Sequence, residues 1–127
     1  PIWLLGYRYP VVTVREDADP SFVYNFLKAL DQAYPLYKDT VAGMIDWELS
    51  RSAVPPIDIP FHEGAIKYLK EKNLWQPAHQ EWNDKAVSRL ELLKNEWEKS
   101  LNSADVKKMD KNEFKNYWMK RLSEMAL

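Results

Sequence analysis

Apolar residues change their rhythm along this chain at about Asn73. Before it they fall in short clusters broken by Pro and acidic residues. After it they recur every three or four residues along two long, charged stretches. The first cluster with clear character is Tyr9 to Val14, YPVVTV, closed by the charged run Arg15, Glu16, Asp17. A β-branched, aromatic run of this length predicts a short buried strand. Ile2 to Leu5 is apolar throughout and fits either a strand or a helix end.

Asp19-Pro20 predicts a helix start, because Asp accepts from free amides and Pro needs no donor in the first turn. Phe22, Val23, Phe26, Leu27 and Leu30 then share a face at helical spacing. Pro35 is expected to end this helix at or before Tyr34. A shorter helix is expected over Asp39 to Glu48, weakened by Gly43. Pro55, Pro56 and Pro60 make the following stretch an irregular connection. A helix is expected from about His62 to Lys72, with Ala65, Ile66 and Leu69 inward and Asn73 as a left-handed stop.

Pro77 opens the longest predicted helix, to about Leu101. Trp82, Ala86, Leu90, Leu93, Trp97 and Leu101 make a narrow seam along it. After a break at Asn102 to Asp110, Asp110 and Glu113 resemble a capping box. Phe114, Trp118, Leu122 and Met125 line a final helix. Matching seams and a short connection predict that the two helices pair antiparallel, with Trp82 and Trp97 facing Trp118 and Phe114.

Composition narrows the function classes. The 127 residues suffice for one ordinary domain, and 46% hydrophobic with 29% charged is a globular balance. A net charge of −1 lacks the basic excess of a nucleic-acid binder. The chain has no cysteine, which excludes disulfides, zinc thiolates and a cysteine nucleophile. No run approaches the roughly 20 apolar residues of a membrane helix. The chain opens on Pro1 and enters apolar sequence at once, so further sequence upstream, with any signal peptide, is expected.

Candidate chemistry is sparse. His62-Glu63 begins like a zinc-protease motif, but Ile66 stands where the second His is needed. His79 is remote in sequence, so no metal site is expected. Ser21, Ser50, Ser52, Ser88, Ser100, Ser103 and Ser123 lack the Gly-flanked turn and partner His of a nucleophile. Gly6, Gly43 and Gly64 are too dispersed to cradle phosphate. Acid pairs such as Asp17 with Asp19, or Glu96 with Glu98, sit in polar runs and read as solvated faces. Lys107, Lys108, Lys111 and Lys115 are interleaved with Asp105, Asp110 and Glu113. No catalytic residue, cofactor or nucleic acid is expected, and the chain is not read as an enzyme.

One stretch carries a resemblance. Ile59 to Trp75, IPFHEGAIKYLKEKNLW, resembles the near-C-terminal signature of the TAXI-type solute receptors of TRAP transporters. Pro60, His62, Gly64, Ala65, Tyr68, Glu71 and Lys72 match that pattern, while Glu63 replaces the usual Pro and Asn73 the usual Gly. Upstream, VTVREDADPSFVYNFLKAL is similar to the family's strand, acidic turn and helix. The match spans about Tyr9 to Trp75, and the helices after Gln76 resemble an extension carried by some members.

The resemblance implies a mainly α chain with a minor short-strand component. It would be the C-terminal fragment of an α/β type II periplasmic-binding-protein-like fold, with a helical extension. Residues 1–75 would be the partial α/β segment and 76–127 the antiparallel helix pair. The implied parent is a periplasmic receptor that passes a small anionic or amino-acid-like solute to the permease membrane subunits. The family's Gly-rich solute-holding segment has no counterpart here, so no solute contact carries over. Pro60, His62, Gly64 and Ala65 are read as the structural device that turns the chain into a helix, in preference to a ligand role for His62. The alternative is a small helical interaction domain that uses its Trp-bearing faces. Either reading leads to an expectation that the chain by itself self-associates.

Overall fold

The computed structural model describes residues 12–53, 55, 57 and 59–125. It contains five α-helices among those residues. They are α1 (Pro20–Tyr37), α2 (Leu49–Ser52), α3 (Glu63–Glu71), α4 (Pro77–Asn102) and α5 (Lys111–Glu124). Short 3-10 turns lie at Met44–Trp47 and Val106–Lys108.

No strand occurs among the described residues, and the expectation of an α/β binding-protein fragment is overturned. Val12 to Val14 is irregular, with Val12 and Val14 exposed. An apolar β-branched run favours extended backbone, but a strand exists only where a neighbour takes its hydrogen bonds. The described chain supplies no such neighbour. Tyr9 to Val11 and Ile2 to Leu5 lie outside the described residues.

α1 starts as its sequence predicts, with the Asp19 carboxylate accepting from Ser21 N at 2.8 Å. Its end differs, because the helix runs on to Tyr37 with Pro35 inside its last turn. Proline there removes one amide, and two tyrosines brace the turn that remains. The Tyr34 hydroxyl donates to Ile45 O at 3.0 Å and the Tyr37 hydroxyl to Leu30 O at 3.2 Å. The helix expected over 39–48 is not continuous either. Gly43 takes φ of 94°, a left-handed conformation that resets the chain direction. A 3-10 turn and then α2 follow it.

The chain forms two compact units, Pro1–Asp84 and Lys85–Leu127, divided within α4. In the first, α3 packs on α1. The core holds Leu49, Ala53, Ile66, Tyr68, Leu69 and Trp75, with Tyr24, Leu27, Phe61 and Leu74 packed against it. Leu69 is fully buried at its centre. In the second unit the later part of α4 runs antiparallel to α5. Going back along α4 through Ser100, Trp97 and Glu96, the partners advance through Tyr117, Trp118 and Arg121. The Asp110 and Glu113 capping box forms in both directions, at 2.9 Å each way.

Candidate functional site

The residues singled out in the sequence converge on the α1–α3 contact in the first unit. His62 caps α3, its ring Nδ1 accepting from Gly64 N at 3.1 Å. An imidazole occupied in this way binds the helix, so the structure uses His62 as a cap. Pro60 lies in the irregular stretch just before this cap, and Ala65 is half-buried in the first turn of α3.

Gly64 is buried where α3 crosses the start of α1. A Cβ at that position would press into the Pro20 carbonyl oxygen and stand 3.0 Å from Val23 Cβ. The two backbones approach this closely only because residue 64 has no side chain. Three residues after Lys70, Asn73 adopts φ of 59°, the left-handed stop expected of it. Leu74 N then bonds back to Leu69 O at 2.9 Å.

A polar ladder flanks this contact. The Tyr68 hydroxyl donates to Asp31 Oδ2 at 2.7 Å, and Lys72 Nζ stands 3.1 Å from the same oxygen. Burial, and then the Asp31 carboxylate, push the Tyr68 hydroxyl well above the ordinary phenol range. One turn along, the Tyr24 hydroxyl donates to Glu71, whose other oxygen is 3.9 Å from Lys28 Nζ. Lys67 and Lys28 lie 5.2 and 5.5 Å from the Tyr24 ring centre. The Tyr24 and Tyr68 rings meet edge to face at 5.5 Å. Every charged member of the ladder has a counter-charge or ring partner, so the ladder joins helices and leaves no charge aimed at a ligand.

Asn83 is the residue that sequence reading missed. It is buried, and its side-chain oxygen accepts from Phe61 N at 2.7 Å. That bond fixes the entry into α3 from the first turns of α4. A lone Asn inside an amphipathic stretch gives no sign of a partner 22 residues away. His79 has a local role, its Nδ1 accepting from Gln76 N at 3.2 Å at the start of α4. Trp75 donates to Gln80 Oε1 at 2.9 Å and meets Phe61 edge-on at 5.2 Å.

Trp82 packs against Phe61 in the first unit, ring centres 6.4 Å apart. Trp97 does meet Phe114 and Trp118, at 5.4 and 4.9 Å, within the second unit. Beside them Glu96 accepts from Lys99 and Arg121, at 2.8 and 2.6 Å, which together hold its carboxyl below the usual range.

The other candidates are accounted for locally. Asp17 pairs with Arg15 at 2.8 Å, Asp19 caps α1, and Ser52 donates to Glu48 O. Among the described residues no three His, Cys, Asp or Glu side chains converge as metal ligands. No buried side-chain polar atom there lacks a partner. An open recess of about 400 Å³ beside α3 is rimmed by Glu63, Ile66, Lys67, Lys70 and Gln80. It has no buried polar group pointing into it. No described helix is long and apolar enough to cross a membrane. No family model, no curated protein and no solved structure matches the chain.

Proposed function

We propose that this chain is the C-terminal portion of the extracytoplasmic receptor of a TRAP-type secondary transporter of the TAXI kind. The single observation that carries the reading is the stretch Ile59 to Trp75. Support comes from the physical use of its matched residues. His62 caps, Gly64 permits the close crossing with α1, and Tyr68, Glu71 and Lys72 lock that crossing through Asp31, Tyr24 and Lys28. A motif used this way suits a bracing element of a receptor and not its solute contacts. In this reading the solute, small and anionic or amino-acid-like, is held by other parts of the parent. The parent acts in the periplasm, hands the solute to membrane permease subunits, and performs no catalysis.

A second reading is a helical interaction domain. It is favoured by α1, whose outward face is apolar and uncharged (Phe22, Phe26 and Leu36 exposed). The reading frame upstream of the codon for Pro1 separates the two. A signal peptide, a long receptor body and neighbouring frames for multi-spanning permease subunits are the expected finding. A start codon directly before Pro1, with no permease frame nearby, would remove the receptor reading and leave the interaction domain.

A further inference from the structure

The helix pair of the second unit carries two stripes of the same make-up. On α4, Leu90, Lys94, Trp97 and Leu101 follow at steps of four, three and four residues. On α5, Lys111, Lys115, Trp118 and Leu122 follow at the same steps. Such spacing keeps each set on one side of its helix. The two stripes share one edge of the pair, because Trp97 meets Trp118 there, ring centres 4.9 Å apart. The other edge is polar: Glu96 accepts from Arg121, and the Ser100 and Tyr117 hydroxyls meet.

The Trp edge is open to solvent and apolar at its centre. Leu90 is 46% exposed, Trp97 39% and Leu101 45%, and Met119, one turn beyond Lys115, is 58% exposed. Its charge is of one sign. Lys111 and Lys115 are exposed and make no ion pair among the described residues. The acids of the two helices are placed elsewhere. Arg121 holds Glu96 and Glu124 on the polar edge, and Asp110 N holds Glu113 at the cap. Helical spacing puts Glu91 and Glu98 on the outward side of α4.

We infer that the Trp edge adsorbs to the surface of an anionic lipid bilayer. Its sign selects a negatively charged partner, and its apolar centre selects one that also takes up hydrocarbon. A bilayer interface offers both. Trp97 and Trp118 suit the headgroup level, Leu90, Leu101 and Met119 suit the acyl boundary, and the lysines extend to lipid phosphates. A second copy fits poorly, since an isologous contact sets one basic edge against another. An acidic protein would have to match the shape of a ridge of side chains standing out from two helices, whereas a fluid interface has no shape to match. Few side chains take part, so the adsorption is weak and reversible, grows with the anionic fraction of the bilayer and falls with added salt. The inference concerns this helix pair alone and does not rest on the receptor reading.

Flotation of the 127-residue chain with lipid vesicles tests it. Vesicles of equal parts phosphatidylglycerol and phosphatidylcholine should carry the chain at low salt, and vesicles of phosphatidylcholine alone should carry far less. Lys111→Gln and Lys115→Gln should each weaken the binding about fivefold, the usual share of one lysine at an anionic surface. Lys120→Gln makes the same change of charge on the far side of α5 and should leave binding within about twofold. Leu90→Gln should weaken binding as well, with unchanged helical circular dichroism. No flotation with the anionic vesicles would overturn the inference, and so would equal flotation with both kinds. Lys120→Gln acting as strongly as Lys115→Gln, or Leu90→Gln binding as tightly as the natural chain, would overturn the choice of edge. Retention on polyglutamate beads without flotation would assign the edge to an acidic protein and overturn the inference too.

Discussion

Gly64 shows how much one absent side chain can decide. Its backbone lies against the Pro20 carbonyl, and any Cβ there forces α3 away from α1. Gly64→Ala should therefore destabilise the first unit by about 2–3 kcal/mol, the usual cost of overpacking against rigid backbone. Urea unfolding followed by Trp fluorescence measures it; an unchanged midpoint would mean the crossing can widen at no cost. Glycine inside a helix ordinarily weakens it, so from sequence alone Gly64 looks neutral or unfavourable. Its value appears only when the crossing partner is known. His62 is the opposite case. Its place just before a helical run with Glu63 next to it suits a cap, and a cap is what it forms.

At the scale of elements, the α1–α3 contact depends on Tyr68 being neutral. Burial and Asp31 raise its hydroxyl above the ordinary value. Above about pH 10 the unfolded chain loses this proton while the folded chain keeps it. The stability due to the neutral phenol is complete below about pH 10 and is lost as pH rises through the raised folded value. Denaturation at a series of alkaline pH values should show the natural chain losing stability faster than Tyr68→Phe. Tyr34 and Tyr37 are raised too, but both chains retain them, so the difference isolates Tyr68. Parallel curves would mean that the Tyr68–Asp31 bond contributes nothing to docking. Periodicity predicted the helix around Tyr68 but not its partner. Asp31 is 37 residues away, and helical spacing says nothing about which helix a buried face will meet.

For the whole molecule, the two units differ in how much they bury. The first holds a contiguous core with Leu69 fully enclosed. In the second, only Ser100 and Val106 are buried among the described residues, and Trp97 and Leu101 remain 39% and 45% exposed. Local opening is cheapest where buried contacts are few. Amide hydrogen exchange should therefore run at least about tenfold faster in α5 than in α3. Equal protection would indicate that the chain opens as one cooperative body.

The sequence by itself determined where most helices begin and which residues stop or cap them. Asp19 and the Asp110 and Glu113 pair act through bonds to backbone within a few residues, and Pro77 and Asn73 through the backbone angles that they favour, so their effect is written locally. The tertiary structure alone decided whether Val12 to Val14 gains a strand neighbour, what Trp82 packs against, that Asn83 holds Phe61, and how Pro35 is carried inside α1. The last three depend on partners between 11 and 22 residues distant. Hydrophobic spacing records that a side chain will be buried; it carries no address for the surface that buries it.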